Sequence, residues 1–315
     1  MEKVCIMGMG GIGGYMAAHL LSAKNVDPGN NLSITCIARG KHLEVIKKDG
    51  LSFQKPGGNK NFFHPDIVTD SPSSLPEQDL IIFSVKGYDI ETACKAISPI
   101  TGPKTVIMPL LNGIDIYERV KKTLTTGIVL PSCIYIVSSI QSPGFVAHGG
   151  GKGNIISGAD PLHKDFNPAL LASLMAAAGI PFDWQTDPFP ALWTKYLFIA
   201  SYGLVTGLSG KSFGQILEDK ELSEKVFSIL KEIYSIASAK GIKLSESLIQ
   251  ESYDNARNFP YEATTSFARD LQVPDKANEL DLFGGTIIKY GTELNIPTPA
   301  TKEIYDAIKK KTASK

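Results

Sequence analysis

Continuous apolar runs alternate with helical patterns along the first half of the chain. The apolar runs are Lys3–Met7, Leu32–Ala38, Leu80–Val85, Thr105–Leu110 and Ile128–Val137. The helical patterns between them cover residues 14–23, 41–49, 89–97 and 114–122. Because these runs are apolar throughout and do not alternate with polar residues, they are typical of strands buried on both faces. The pattern therefore predicts a parallel sheet covered by helices.

Two stretches interrupt this alternation. The turn signal Pro56-Gly57-Gly58-Asn59 separates Leu51–Phe53 from Phe62–Phe63, which predicts a hairpin. In the second stretch, Phe145–His148 and Asn154–Ser157 are predicted as two arms around a glycine turn at residues 149–153.

The character of the chain changes after about residue 187. Pro188, Phe189 and Pro190 form a stiff junction, and helical periodicity continues from there to residue 311. Long helices are predicted over Leu222–Ala239, Ala277–Asn295 and Pro299–Lys311. We therefore expect one domain over residues 1–187 and a second, all-helical domain over residues 188–315.

Composition narrows the function classes. The 315 residues include 32 Lys plus Arg and 32 Asp plus Glu, so the chain is neutral and nucleic acid is not expected as a partner. No apolar run reaches the roughly 18 residues that span a bilayer, and the N-terminus does not resemble a signal peptide. We therefore expect a cytoplasmic protein without a membrane partner. The four scattered cysteines are predicted to be buried free thiols, and no histidine spacing suggests a metal site.

The strongest motif is Gly8-Met9-Gly10-Gly11-Ile12-Gly13, which follows the first strand and opens a helix. This G-x-G-x-x-G pattern permits a tight turn and a close approach of the backbone to a pyrophosphate. The free N–H groups at the helix start then attract its charge. The alternative is a glycine-rich turn without a ligand. With the strand–helix alternation, the motif predicts an α/β fold: a Rossmann-like, doubly wound, mostly parallel sheet, followed by the all-helical C-terminal domain.

The end of the second predicted strand indicates which dinucleotide binds. It reads Cys36-Ile37-Ala38-Arg39, without the acidic residue that would bond the ribose 2′-hydroxyl of NAD. Arg39 suits a 2′-phosphate, because a guanidinium makes two charge-assisted hydrogen bonds to phosphate. We therefore expect NADPH as the cofactor, although Arg39 could also be a surface residue at a helix entrance.

A single lysine stands out in the helix that opens the second half. Lys195 is the only charged residue from Ala191 to Val205, so it either extends to solvent or lines a cavity. A position at the start of the second domain favours a cleft between the domains. An ammonium group there could stabilise the alkoxide formed when a nicotinamide reduces a carbonyl, and then protonate it.

Further motifs follow the same order as those of a known family. They are the glycine loop, Arg39, Ser84–Tyr88, Leu111–Gly113, Trp193–Lys195, Ser266–Asp270, Glu279–Asp281 followed by Gly284–Gly285, and Ile296–Pro299. Over essentially its whole length, the sequence resembles the ketopantoate reductase (2-dehydropantoate 2-reductase) family.

This resemblance implies roles for individual residues. Lys195 would be the general acid, and Glu279 would contact the cofactor ribose and the substrate region. Lys86 would approach the cofactor or the substrate, and Asn112 would bond near both the nicotinamide ribose and the substrate. Ser266 would contact the substrate carboxylate. The implied reaction is NADPH-dependent reduction of a 2-keto acid, expected to be ketopantoate, to the 2-hydroxy acid in pantothenate biosynthesis.

Each match has a simpler alternative, and two positions depart from the family pattern. Asn112 could belong to an ordinary turn, Ser266 could cap a helix, and Lys86 and Glu279 could be solvated. Ile199 and Gly203 stand where the family pattern has asparagines. A related hydroxy-acid or opine-type dehydrogenase with a more apolar substrate therefore stays open, as does a non-catalytic NADP(H) sensor. A homodimer is a candidate assembly.

Overall fold

The chain forms two compact units in a computed structural model, which describes residues 1–27, 29, 31–273 and 276–313. The first unit contains Met1–Leu111 and Ile116–Pro188. The second contains Asn112–Asp115 together with the chain from Phe189 onward. The short segment 112–115 thus packs with the helical unit, a feature that a single cut along the sequence does not capture.

The first unit is built from eleven strands and five helices over its described residues. The strands are β1 (Lys3–Met7), β2 (Ser33–Ile37), β3 (Leu51–Gln54), β4 (Lys60–Phe63), β5 (Ile67–Thr69), β6 (Leu80–Phe83), β7 (Val106–Pro109), β8 (Ile128–Val129), β9 (Ser132–Ser142), β10 (Phe145–Gly158) and β11 (Phe182–Gln185). The helices are α1 (Gly11–Val26), α2 (Gly40–Asp49), α3 (Ile90–Ile97), α4 (Ile116–Thr123) and α5 (Ala169–Ala177).

The main sheet confirms the predicted α/β architecture. Its strand order is β5-β2-β1-β6-β7-β8, and every neighbouring pair is parallel. Val4 at the centre lies opposite Ile34 on one side and Leu80 on the other. All residues of β6 and β7 are buried, which explains why their sequences are apolar without alternation.

A second sheet has the order β11-β10-β3-β4, with β9 paired to β10. Antiparallel pairing of β3 with β4 confirms the predicted first hairpin. The prediction of one strand over Ile128–Val137 is wrong: β8 and β9 belong to different sheets, with Pro131 between them. Because proline has no backbone N–H, it marks the point where the chain leaves the first sheet.

The second predicted hairpin is also wrong. The glycines at 149–153 lie inside β10, and the turn is instead at Gly144, between β9 and β10. Gly150, Gly151 and Gly153 have positive φ angles, and the pairing register with β9 shifts on both sides of Gly150. Glycine permits this bulged backbone, which sequence patterns do not distinguish from a turn.

The second unit is helical over its described residues. Its helices are α6 (Phe189–Ser209), α7 (Phe213–Glu218), α8 (Lys220–Ala239), α9 (Ser247–Asp254), α10 (Ser266–Leu271), α11 (Thr286–Glu293) and α12 (Pro299–Ala313). The prediction of one helix over Ala277–Asn295 is wrong, because a π-helical turn at Asp281–Gly285 precedes α11. Residues 276–279 are not helical.

The cysteines behave as the sequence predicts. Cys5, Cys36, Cys94 and Cys133 are all buried and free. In the chain as described, no helix combines the length and apolar character that crossing a membrane requires.

Candidate active site

The glycine loop joins the central strand of the sheet to the first helix. Gly8 follows β1 with a φ of +96°, a conformation that favours glycine. Gly10 precedes α1, which starts without a side-chain cap and without an acidic residue in its first turn. The amide groups at this helix start and the helix dipole therefore suit an anionic ligand.

The space around the loop glycines distinguishes their roles. A Cβ on Gly13 would overlap the Gly8 carbonyl oxygen and lie 2.8 Å from Ser84 Oγ, so Gly13 lets helix and loop pack closely. A Cβ on Gly10 would meet nothing within 4 Å. The open side of the loop at Gly10 thus leaves room for a ligand to approach the backbone. Both features fit the pyrophosphate of a dinucleotide.

Two basic residues follow β2 and β6, the strands on either side of β1 in the main sheet. Arg39 directly precedes α2 and its side chain is 58% exposed, with Nη1 4.0 Å from Asp89 Oδ1. Lys86 is half-buried and follows β6, just before a short 3₁₀ turn at Gly87–Asp89. At that distance, and with both side chains exposed to water, the Arg39 ion pair is weak.

An amine and an amide meet in the second unit. Lys195 Nζ donates a hydrogen bond of 2.9 Å to Asn112 Oδ1, and both residues are half-buried. Asn112 comes shortly after β7, where the chain enters the second unit. Two neighbours hold this segment: Ile114 is part of the helical core, and the buried Asp115 accepts a 3.2 Å hydrogen bond from Thr286 Oγ1.

Glu279 is buried, 5% exposed, and lies two residues before the π-helical turn at Asp281–Gly285. The hydroxyl of Tyr196 lies 2.9 Å from the Leu282 carbonyl oxygen and 2.7 Å from that of Phe283. A π-helical turn changes the backbone hydrogen-bond pattern, and Tyr196 satisfies carbonyl groups within it. These hydrogen bonds connect α6 to the segment that follows Glu279. Tyr196, which makes them, is the residue after Lys195 in the chain.

Ser266 does not cap its helix. Thr265 does so, with its hydroxyl accepting a 3.1 Å hydrogen bond from the Ala268 N–H. The same hydroxyl lies 2.8 Å from that of the buried Thr206 in α6. The Ser266 side chain is left exposed at the start of α10.

The face of α6 that continues from Lys195 is apolar. Ile199 and Gly203 follow at intervals of four residues and so lie on the same side of the helix. Ile199 is half-buried against the helical core, and Gly203 is buried. A Cβ at Gly203 would meet only Phe267 Cδ1, at 4.0 Å. This position therefore has room for a Cβ atom.

Some of these contacts have no signal in the sequence. Tyr196, Asp115 and Thr286 support the site through tertiary hydrogen bonds, and nothing local marks them out. Tyr196 could have been singled out as the neighbour of the lone lysine, but its partners could not have been named.

The first unit has a parallel sheet with a glycine loop on its central strand, and the helical unit carries the amine–amide pair. Together these features are typical of nicotinamide-nucleotide oxidoreductases. The family model described as ketopantoate reductase PanE/ApbA matches residues 4–161, and its C-terminal counterpart matches residues 189–312. The chain belongs to the ketopantoate reductase family, whose members are oxidoreductases acting on CH–OH groups.

Individual relatives agree over nearly the full chain. The 2-dehydropantoate 2-reductase of Aquifex aeolicus is 26% identical over 317 residues, covering 98% of this chain and 96% of that protein. The crystal structure of a PanE/ApbA family ketopantoate reductase from Ralstonia eutropha JMP134 has a TM-score of 0.88 at 25% identity, with 99% of each chain covered. A ternary structure of D-mandelate dehydrogenase with NADH and anilino(oxo)acetate shares the fold, with a TM-score of 0.86 at 19% identity and 99% of each chain covered.

Proposed function

We propose that this protein reduces a 2-keto acid to the 2-hydroxy acid with NADPH, and that 2-dehydropantoate is the substrate and pantoate the product. The Lys195–Asn112 hydrogen bond is the observation that carries the proposal. This bond restricts the orientation of a half-buried amine. A proton donor to the oxygen of the reduced carbonyl must be oriented in this way.

The bound nicotinamide would supply the hydride. Lys195 would stabilise the negative charge that develops on the substrate oxygen and would then donate a proton to it. Asn112 Oδ1 accepts one N–H of the amine and so restricts its direction. The hydride and this proton together account for the two hydrogens gained by the product.

Cofactor binding would depend on the first unit. Gly8, Met9, Gly10, Gly11, Ile12 and Gly13 would hold the pyrophosphate at the start of α1. Arg39 would bind the 2′-phosphate, which is why we propose NADPH rather than NADH. The exposure of Arg39 and its weak pairing with Asp89 leave its guanidinium available for phosphate. Lys86 would approach the cofactor.

In the second unit, Glu279 and Ser266 would complete the substrate region. The buried carboxyl of Glu279 would contact the cofactor ribose and substrate, and the exposed hydroxyl of Ser266 would bind the substrate carboxylate.

The apolar face beyond Lys195 favours a second candidate. Ile199 and Gly203 offer no hydrogen bond from their side chains to a hydroxyl group on the substrate. An apolar face at this place would instead suit an apolar substituent beside the keto group. This arrangement supports a related hydroxy-acid dehydrogenase with a branched or aromatic 2-keto acid as substrate.

Steady-state assays that follow NADPH absorbance test these proposals. Ketopantoate, 2-ketoisovalerate and phenylglyoxylate would be compared, each with NADPH and with NADH. The highest kcat/KM with ketopantoate and NADPH is expected. A preference for either of the other acids would select the second candidate. NADPH binding without turnover on any of these acids would contradict both and indicate a sensor.

A further inference from the structure

We propose that Ser84 and Ser138 are positioning residues that hold the glycine loop in its binding conformation from two sides. The inference rests on the proposed function, since it assigns these serines to cofactor affinity. Neither serine belongs to the glycine motif, and they come from different sheets of the first unit.

Ser84 fixes the start of the loop. It follows β6, and its Oγ donates a 2.8 Å hydrogen bond to the carbonyl oxygen of Gly8, with the Met7 carbonyl oxygen at 3.4 Å. Gly8 has a positive φ, a conformation that favours glycine. A hydrogen bond to its carbonyl therefore restrains the peptide unit that leads into the loop.

Ser138 fixes the end of the loop. Its Oγ donates a 2.9 Å hydrogen bond to the carbonyl oxygen of Gly11, the first residue of α1, and lies 3.2 Å from the Ala147 carbonyl oxygen. The Ser138 backbone is so close that a Cβ on Gly11 would overlap its carbonyl oxygen. This contact explains a glycine at position 11, where the dinucleotide motif itself requires none.

The hairpin that carries Ser138 is itself held against α1 and α2. A Cβ on Gly14 would lie 2.6 Å from Val146 Cγ2, so β10 packs directly on the first turns of α1. At the hairpin turn, the Gly144 N–H donates a 2.9 Å hydrogen bond to His42 Nδ1 in α2. Burial lowers the pKa of His42, which favours the neutral ring that can accept this bond.

The same hairpin explains the glycine run in β10. Gly153 lies against the hydroxyl of Tyr15 in α1, where any Cβ would overlap that hydroxyl. Gly153 therefore allows β10 to pack closely on α1, at the end of a glycine run that resembles a turn in the sequence.

A loop that is already in its binding conformation loses less entropy when a ligand binds. Removing one serine hydroxyl would free part of the loop, and the ligand would have to order it again. We expect each of Ser84→Ala and Ser138→Ala to weaken NADPH binding by about threefold to tenfold, the range of one hydrogen bond. The effects should multiply in the double variant, because the two serines restrain different peptide units.

The experiment measures the dissociation constant of NADPH by its fluorescence, together with KM for NADPH, KM for the keto acid and kcat. Ser228→Ala is the matched control, since Ser228 Oγ donates a 2.9 Å hydrogen bond to the Glu224 carbonyl oxygen on the exposed side of α8. Amide exchange at Gly14, whose N–H bonds to the Gly10 carbonyl oxygen at 2.8 Å, reports on the loop without any nucleotide.

Weaker NADPH binding with unchanged kcat and unchanged KM for the keto acid, together with faster Gly14 exchange, would support the proposal. Wild-type affinity in both variants would overturn it, and so would an equal loss in Ser228→Ala. If the wild-type protein bound no nicotinamide nucleotide at all, the proposed function would fail. The exchange rate at Gly14 would still show whether the serines restrain the loop.

Discussion

The two proposed parts of the active site use different chemical groups: one uses the backbone and the other uses side chains. The glycine loop uses backbone amides and empty space, and its residues are neighbours in the chain. The Lys195–Asn112 pair uses two side chains that are 83 residues apart in sequence. A backbone site of this kind depends on the absence of side chains, whereas a side-chain site depends on the fold bringing particular groups together.

This difference determines how each part should respond to substitution. Loss of a side chain at the amine–amide pair removes the reacting group and leaves the surrounding backbone in place. Gain of a side chain in the glycine loop adds an obstacle, and the result depends on whether that obstacle meets protein or ligand.

The largest effect is expected from Lys195→Ala. Removing a general acid typically lowers turnover by about 10²-fold to 10⁴-fold. The dissociation constant of NADPH should stay within about twofold, because the proposed phosphate-binding groups lie in the other unit. Stopped-flow or steady-state measurement of kcat, with NADPH titrated separately, checks both expectations. Lys220→Ala is the control, since that side chain is 92% exposed at the start of α8. Full kcat in Lys195→Ala would rule out the assigned acid.

The glycine loop was predictable because its signal is local. The motif places a strand, a glycine turn and the start of a helix within a few residues. Positive φ and close packing both require glycine, and the sequence shows glycine directly. The parallel sheet was predictable for a similar reason, since strands such as β6 and β7 are apolar at every position.

The supports of the site were not predictable, because they form only in the folded chain. Thr286 contacts Asp115 across 171 positions, and Tyr196 reaches carbonyl groups in a π-helical turn 86 and 87 residues later. The glycines in β10 misled the pattern for a related reason. One of them, Gly153, leaves space for the hydroxyl of Tyr15 in α1, which is far away in the sequence.

The next effect separates two glycines of the loop. Gly10→Ala should leave the melting temperature unchanged, because its φ of −69° suits any residue and its Cβ would meet no protein atom within 4 Å. It should nevertheless weaken NADPH binding by on the order of tenfold, since the methyl group occupies the ligand's approach.

Gly13→Ala, unlike Gly10→Ala, should lower the stability of the protein. The added methyl overlaps the Gly8 carbonyl oxygen, so we expect a loss of about 1–3 kcal/mol in unfolding free energy. Thermal unfolding and NADPH titration of both variants provide the comparison. Equal loss of stability in the two variants would show that Gly10 does not face open space.

Each unit also contains a buried carboxylate that lies outside the proposed active site. In the second unit, Glu232 of α8 accepts hydrogen bonds from the N–H groups of Ala300 and Thr301 at the start of α12. In the first unit, Asp160 is fully buried and bonds to several donors. Both accept hydrogen bonds that stabilise the fold, and neither takes part in the proposed chemistry.

The smallest effect concerns Asp160 and pH. Burial alone would raise the pKa of this carboxyl, but hydrogen bonds from the Leu162 N–H, Tyr117, His163 and the Val129 N–H lower it overall. A carboxyl with a lowered pKa in the folded protein stabilises the fold above its ordinary pKa of about 3.9 and loses that contribution as the pH falls through the folded pKa.

Asp160→Asn should therefore reduce the free energy of unfolding by about 1 kcal/mol at neutral pH, and the difference from wild type should shrink below about pH 4. Urea unfolding would be followed by Trp184 fluorescence in a Trp193→Phe background, which reports on the first unit alone because the chain has two tryptophans. The exposed neighbour Asp165 offers the control, and Asp165→Asn should change neither value. A stability difference that persists unchanged at pH 3 would mean that the charge of Asp160 does not contribute. kcat and NADPH affinity should stay at wild-type values throughout, because this carboxylate supports the first unit without belonging to the glycine loop.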